Sequence, residues 1–154
     1  MANIIETIKA KDRATLTKGN GSYATFFRSP YGRIQMDYNL DGDIGCHENL
    51  KDNEALEYAE ILMSEGYEAS NRFLGYHPES TLPVKRGDLV TIKKGTMVKT
   101  VGREPKTAGK TYTVLIDHVF PGQNFDSYLG TVNPEIVWAG PGGYWSSVDI
   151  NDVI

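Results

Sequence analysis

Between residues 23 and 50 the chain alternates apolar and polar positions with a period of two. Tyr23 to Arg28 and Arg33 to Asn39 read as strands, since Ile34, Met36 and Tyr38 alternate with Arg33, Gln35 and Asp37. Between them Ser29-Pro30-Tyr31-Gly32 carries Pro and Gly where a type I turn takes them. Asp41-Gly42 closes a second hairpin onto Asp43 to His47, because both residues tolerate positive φ. Beyond residue 51 the period lengthens. Ala55, Leu56, Ala59, Leu62 and Met63 recur at helical spacing among Glu54, Glu57, Glu60 and Glu65. Asp52 or Asn53 is placed to cap this helix and Gly66 to stop it, near residues 52 to 66. The first half is therefore predicted to be a three-stranded meander with one helix, the only substantial helix of the chain.

Gly, Pro and Ser punctuate residues 66 to 87, after which short strands follow: Leu89 to Ile92, Met97 to Val101, Thr111 to Phe120, Glu135 to Trp138 and Tyr144 to Ile150. Lys94-Gly95, Pro121-Gly122 and Gly140-Pro141-Gly142-Gly143 supply the turns between them. Five short strands without a helix predict a small closed or nearly closed barrel, since closure removes exposed edges. The expected class is α+β, with an acidic βββα unit over residues 1–78 and a five-stranded barrel over 79–154.

Two stretches, LPVKRGDLVTIKKGTMVKT (Leu82 to Thr100) and NPEIVWAGPGGYWSSVDINDVI (Asn133 to Ile154), resemble an SH3-like small barrel at the C-terminal end of uncharacterised tailed-bacteriophage proteins. The ending, WAGPGGYW followed by DINDV, is the more specific part, and the similarity covers the second half only. The resemblance implies a barrel and a phage context, hence the host cytosol as the place of action. It implies no catalytic role.

Charge sharpens the picture. The 154-residue chain has a formal charge of -4, which argues against unselective polyanion binding by its whole surface. Yet all eight basic residues after position 78 (Lys85, Arg86, Lys93, Lys94, Lys99, Arg103, Lys106, Lys110) lie between 85 and 110, opposed only by Asp88 and Glu104. From 111 onward there is no Lys or Arg. Such a block can meet phosphates while aromatic side chains stack bases. Lys93, Lys94, Lys99, Arg103 and Lys106 are the candidate contacts, and Trp138, Tyr144 and Trp145 the candidate stacking platforms, with Tyr112 also available. The simpler account is a solvated hairpin over a small core that holds the Trp residues.

The longest strongly apolar run, Ile136 to Ala139, falls far short of the roughly 20 residues a bilayer span needs. Met1 to Lys11 lacks a continuous hydrophobic region, so it is not a secretory signal. No membrane partner and a cytoplasmic location are expected.

Residues 37 to 48 fit the spacing of an EF-hand loop. Asp37, Asn39 and Asp41 would give side-chain oxygens, Asp43 its carbonyl, Gly42 the sharp turn and Glu48 a bidentate carboxylate for Ca²⁺. The alternative is the hairpin at Asp41-Gly42. The alternating segment before it, with Pro30 and Gly32, favours the hairpin, because an EF-hand needs an entering helix. No other cofactor is suggested.

Catalytic signals are weaker. Gly109-Lys110-Thr111 ends like a phosphate-binding loop, but Gly102 lies too far upstream. His47, His77 and His118 lack zinc-ligand spacing. His118 alternates with Tyr112, Val114, Ile116 and Phe120, which predicts a core histidine rather than a base served by Ser146, Ser147 or Asp149. His77 reads as a loop residue. Cys46, the single cysteine, has no basic neighbour closer in sequence than His47 and Lys51, too little to activate its thiol. The expectation is a non-enzymatic phage accessory protein that binds a host or phage macromolecule, a protein partner first, with nucleic-acid or anionic-nucleotide binding through the basic hairpin as the alternative.

Overall fold

The computed structural model describes residues 3–123 and 132–154. The class is α+β. The first half runs α1 (Ile4–Lys11), β1 (Arg13–Thr17), β2 (Tyr23–Arg28), β3 (Ile34–Leu40), β4 (Asp43–Leu50), α2 (Asp52–Ser64) and β5 (Glu68–Ser70). Its strands form one antiparallel sheet in the order β4-β3-β2-β1-β5. The expected meander is present and is extended by β1 and β5. The turn between β2 and β3 closes through Gly32 N–H donating to the Ser29 carbonyl at 3.0 Å.

The expectation of a single substantial helix is corrected by α1. Eight residues give too few turns for a visible apolar period, but the cap is explicit: Glu6 N–H donates to Asn3 Oδ1 at 3.0 Å, and Asn3 N–H donates to Glu6 Oε2 at 3.3 Å. In α2 the cap falls on Lys51, whose N–H donates to Glu54 Oε1 at 3.0 Å, rather than on Asp52 or Asn53. Gly66, at φ +99°, then turns the chain away. Both helices pack on one sheet face, where Ile8, Leu16, Phe26, Ile34, Met36, Ala59 and Leu62 form a core.

The opposite sheet face is covered by residues 71–78, which are no solvated linker. Thr25 Oγ1 donates to the Leu74 carbonyl at 2.9 Å, Phe27 meets Tyr76 edge-on at 6.0 Å, and the Arg13 guanidinium lies 3.6 Å over the Phe73 ring. His77, expected as a loop residue, is 0 % exposed, and Phe73 belongs to the core of the second half. Asn151 clamps Phe73 from the other side, accepting its N–H at 2.8 Å and donating to its carbonyl at 3.0 Å.

The second half contains β6 (Leu89–Ile92), β7 (Met97–Thr100), β8 (Lys106–Thr107), β9 (Tyr112–Leu115), β10 (His118–Phe120), β11 (Glu135–Ala139) and β12 (Trp145–Asp149). Five of them form a sheet in the order β10-β11-β12-β7-β8, and β6 pairs with β9. The single strand expected over Thr111 to Phe120 breaks at Ile116-Asp117. Ile116 N–H still bonds to the Asp88 carbonyl just before β6, extending the β6–β9 pair, whereas Asp117 N–H bonds to the Val137 carbonyl of the five-stranded sheet; both are 2.9 Å. The break shifts the inward positions from Val114 and Ile116 to Val119, so His118 points outward and is half exposed. The core-histidine expectation fails for that reason. Ile92, Ile116, Val119, Ile136, Trp138 and Val148 form a core shared by both sheets. Among the described residues the ladders define two sheets and do not close a barrel. No described helix is long and apolar enough to cross a membrane.

Candidate functional site

The two sheets of the second half leave a cleft of about 910 Å³ between them, lined by Arg86, Thr100, Lys110, Tyr112, Trp138 and Ser146. It continues into a hollow of about 500 Å³ that adds Arg103 and Lys106 and shares Val98, Thr100, Lys110 and Tyr112. Strand alternation builds these walls. On β7, Val98 and Thr100 turn inward while Met97 and Lys99 turn out, and on β11 Trp138 turns inward. The Thr100 and Ser146 hydroxyls bond to each other at 3.1 Å across β7 and β12. The turn after β11 passes so close to Ser146 that a Cβ on Gly140 would collide with its hydroxyl.

Four cations and two carboxylates, Glu104 and Asp117, stand around the cleft and its hollow. Arg86, Arg103, Lys106 and Lys110 make no ion pair with any carboxylate among the described residues. Arg103 lies 5.6 Å from the centre of the Tyr144 ring, a cation–π contact, and Tyr144 is half exposed. Burial pushes the Tyr112 phenol above its ordinary pKa, so it stays a neutral hydrogen-bonding group.

Of the residues expected from sequence, the structure brings Arg103, Lys106 and Tyr112 together in the hollow, and Tyr144 lies outside its lining, against Arg103. Trp138 is 5 % exposed and forms the floor, so its ring face is not offered to a ligand. Lys93 and Lys94 stand at the exposed tip between β6 and β7, with Lys94 N–H donating to Thr111 Oγ1 at 3.0 Å. Lys99 and Trp145 lie on the other face of the five-stranded sheet. There Lys99 Nζ pairs with Glu135 at 2.7 Å, and Trp145 meets His118 edge-on at 5.7 Å. Arg86 and Lys110 take the vacated roles; both were legible only as members of the basic block.

Among the described residues His118, Ser146, Ser147 and Asp149 do not assemble into a triad. His118 Nδ1 is 2.9 Å from Asp117 Oδ2, but Ser147 lies two strands away across Val137, about 9–10 Å at ordinary strand spacing. Ser146 faces the cleft, and Asp149 is occupied by Asn133 and Asn151.

Of the two readings of residues 37 to 48, the structure has the hairpin that the alternation favours. Asp37, Asn39, Asp41, Asp43 and Glu48 lie along the β3–β4 hairpin, with Asp37 opposite Cys46 and Asn39 opposite Ile44. Asp41 (φ +54°) and Gly42 (φ +91°) form its tight turn. Ser22 and Asn20 hold the Asp41 carboxylate at 2.9 and 3.0 Å, while Asn39 Oδ1 accepts the Gly42 N–H at 3.0 Å. Asp37 is buried and accepts from Gln35 Nε2 at 2.9 Å. Among the described residues no group of three or more His, Cys, Asp or Glu could hold a metal. Burial and the neighbouring Asp37 push the Cys46 thiol up to about 12, which leaves it unreactive at neutral pH.

In comparisons with known proteins the chain matches no family model, no curated protein and no solved structure.

Proposed function

We propose that this chain is a non-enzymatic binding protein whose cationic cleft receives single-stranded nucleic acid. The observation that supports this is the convergence of Arg86, Arg103, Lys106 and Lys110 on one continuous hollow with no carboxylate partner among the described residues. Like charges gathered this way repel one another, and a phosphate backbone relieves that repulsion while releasing its own counterions. Tyr112 in the hollow and the half-exposed Tyr144 beside Arg103 supply ring faces for bases. The resemblance of the second half to tailed-phage modules suggests the setting, an accessory factor acting on a macromolecule in the host cytosol.

A protein partner is the second reading, favoured by one feature. Leu89 and Leu115 stand directly opposite each other on β6 and β9 and are 69 % and 61 % exposed. An apolar cross-strand pair in water is a fitting point for a protein contact.

Fluorescence anisotropy with labelled single-stranded DNA separates the two readings. Binding should weaken by roughly 1–3 kcal/mol in Tyr144→Ala and also fall in Arg103→Gln and Lys110→Gln. The Leu89→Ser variant should bind as the wild type does. Affinity that is unchanged in all three cleft variants overturns the nucleic-acid reading.

A further inference from the structure

A separate hollow of about 610 Å³ lies where the two halves meet and shares no lining residue with the cleft. Lys11 from the end of α1, Arg13 from β1 and Arg72 from the connecting segment reach it, with Pro83 and Ile154 as its apolar wall. Arg13 is held in place. Its guanidinium carbon lies 3.6 Å from the centre of the Phe73 ring, and its Nη2 donates to the Asn71 carbonyl at 3.4 Å. Lys11 Nζ donates to the Asn71 side chain at 3.2 Å. Among the described residues none of the three cations has a carboxylate partner.

Arg13 is half buried, and an arginine stays charged in such a place. A partly desolvated cation with no counter-ion is costly, and two further cations beside it raise that cost. An anion in the hollow would remove it. The guanidinium fork, oriented by Phe73, matches tetrahedral oxyanions in two parallel hydrogen bonds, while two further basic groups favour a doubly charged ligand over a carboxylate. The hollow is also larger than one phosphate group needs, and its remaining wall is apolar.

We propose that this junction binds the phosphate of a small phosphate ester through Lys11, Arg13 and Arg72, with the organic part against Pro83 and Ile154. The ligand would then touch both halves at once and hold them together.

Calorimetric titration at fixed ionic strength, with inorganic phosphate and with phenyl phosphate, tests this. The wild type should bind both and phenyl phosphate the more tightly. Arg13→Gln and Arg72→Gln should each weaken binding at least fivefold, whereas Lys93→Gln at the exposed tip between β6 and β7 should leave it unchanged. Arg72 and Lys11 are exposed, so their variants keep the test open if Arg13→Gln does not fold. Failure of the wild type to bind either anion, or affinity unchanged in both Arg72→Gln and Lys11→Gln, overturns the site. A loss in Lys93→Gln equal to that in Arg72→Gln does the same, and equal affinity for the two anions overturns the role of the apolar wall.

Discussion

His77 is wedged edge-on against Phe73, ring centres 5.1 Å apart, and neither ring nitrogen makes a well-formed hydrogen bond. Burial, reinforced by the Arg13 charge and only weakly opposed by the Leu74 carbonyl, lowers its pKa from 6.5 to about 3. The folded protein therefore binds fewer protons here than the unfolded chain at any pH between those values. Stability is full above pH 6.5 and falls as the pH drops below it, by about 1.4 kcal/mol per unit. Unfolding free energies from urea titrations at pH 7.5 and 5.0 should differ by about 2 kcal/mol from this group, and His77→Gln should abolish that difference. A difference that survives in His77→Gln would assign the acid sensitivity to other groups. Gly75 is the neighbouring constraint. It sits at φ +70°, and a Cβ there would overlap the Tyr23 hydroxyl. Gly75→Ala should cost more than about 1 kcal/mol in the same denaturation measurement. Neither role was legible in the sequence, because a His-Pro pair in a Gly- and Pro-rich stretch looks like a loop. Its partners beyond the segment, the Arg13 charge and the Pro121 carbonyl that accepts its N–H at 2.8 Å, are distant in the chain.

At the scale of elements, the strands whose two faces differ in polarity were legible. β2, β3 and β4 follow from the alternation of Ile34, Met36 and Tyr38 with Gln35 and Asp37, together with Asp41-Gly42 at their turn. The same residues fit a calcium loop because a spacing template is blind to backbone conformation. In the hairpin the oxygens are divided among Ser22, Asn20, Gln35 and the Gly42 N–H. Millimolar Ca²⁺ should therefore leave the melting temperature unchanged, in the wild type as in Asp37→Ala, and a rise confined to the wild type would restore the calcium loop. Gly42→Ala should destabilise by about 1 kcal/mol, since an L side chain resists φ +91°. The capping box of Asn3 and Glu6 was present in the sequence and marks α1. The break at Ile116-Asp117 was not legible, because each side of it satisfies the strand pattern and only the change of partner, from Asp88 to Val137, reveals it.

For the whole molecule, the sequence located the basic block but not its division. Lys99 and Arg103 are four residues apart, yet one is neutralised by Glu135 on the outer face and the other reaches the cleft beside Tyr144. Partner assignments of that kind depend on β11 and β12 crossing beside β7, which local charge counts do not contain. The central claim is that unpaired cations in the cleft meet phosphates. Its most direct test is the salt dependence of binding to labelled oligothymidine, measured from roughly 50 to 200 mM salt, where each phosphate contact contributes a slope of about -0.7 for a single strand. The wild type should give a slope near -2 to -3 for three or four contacts. Replacing both Arg103 and Lys110 by Gln should flatten it by about 1.4, while Lys99→Gln should leave it as it is. A slope unchanged in the double variant, or no binding at the lowest salt, would contradict the account.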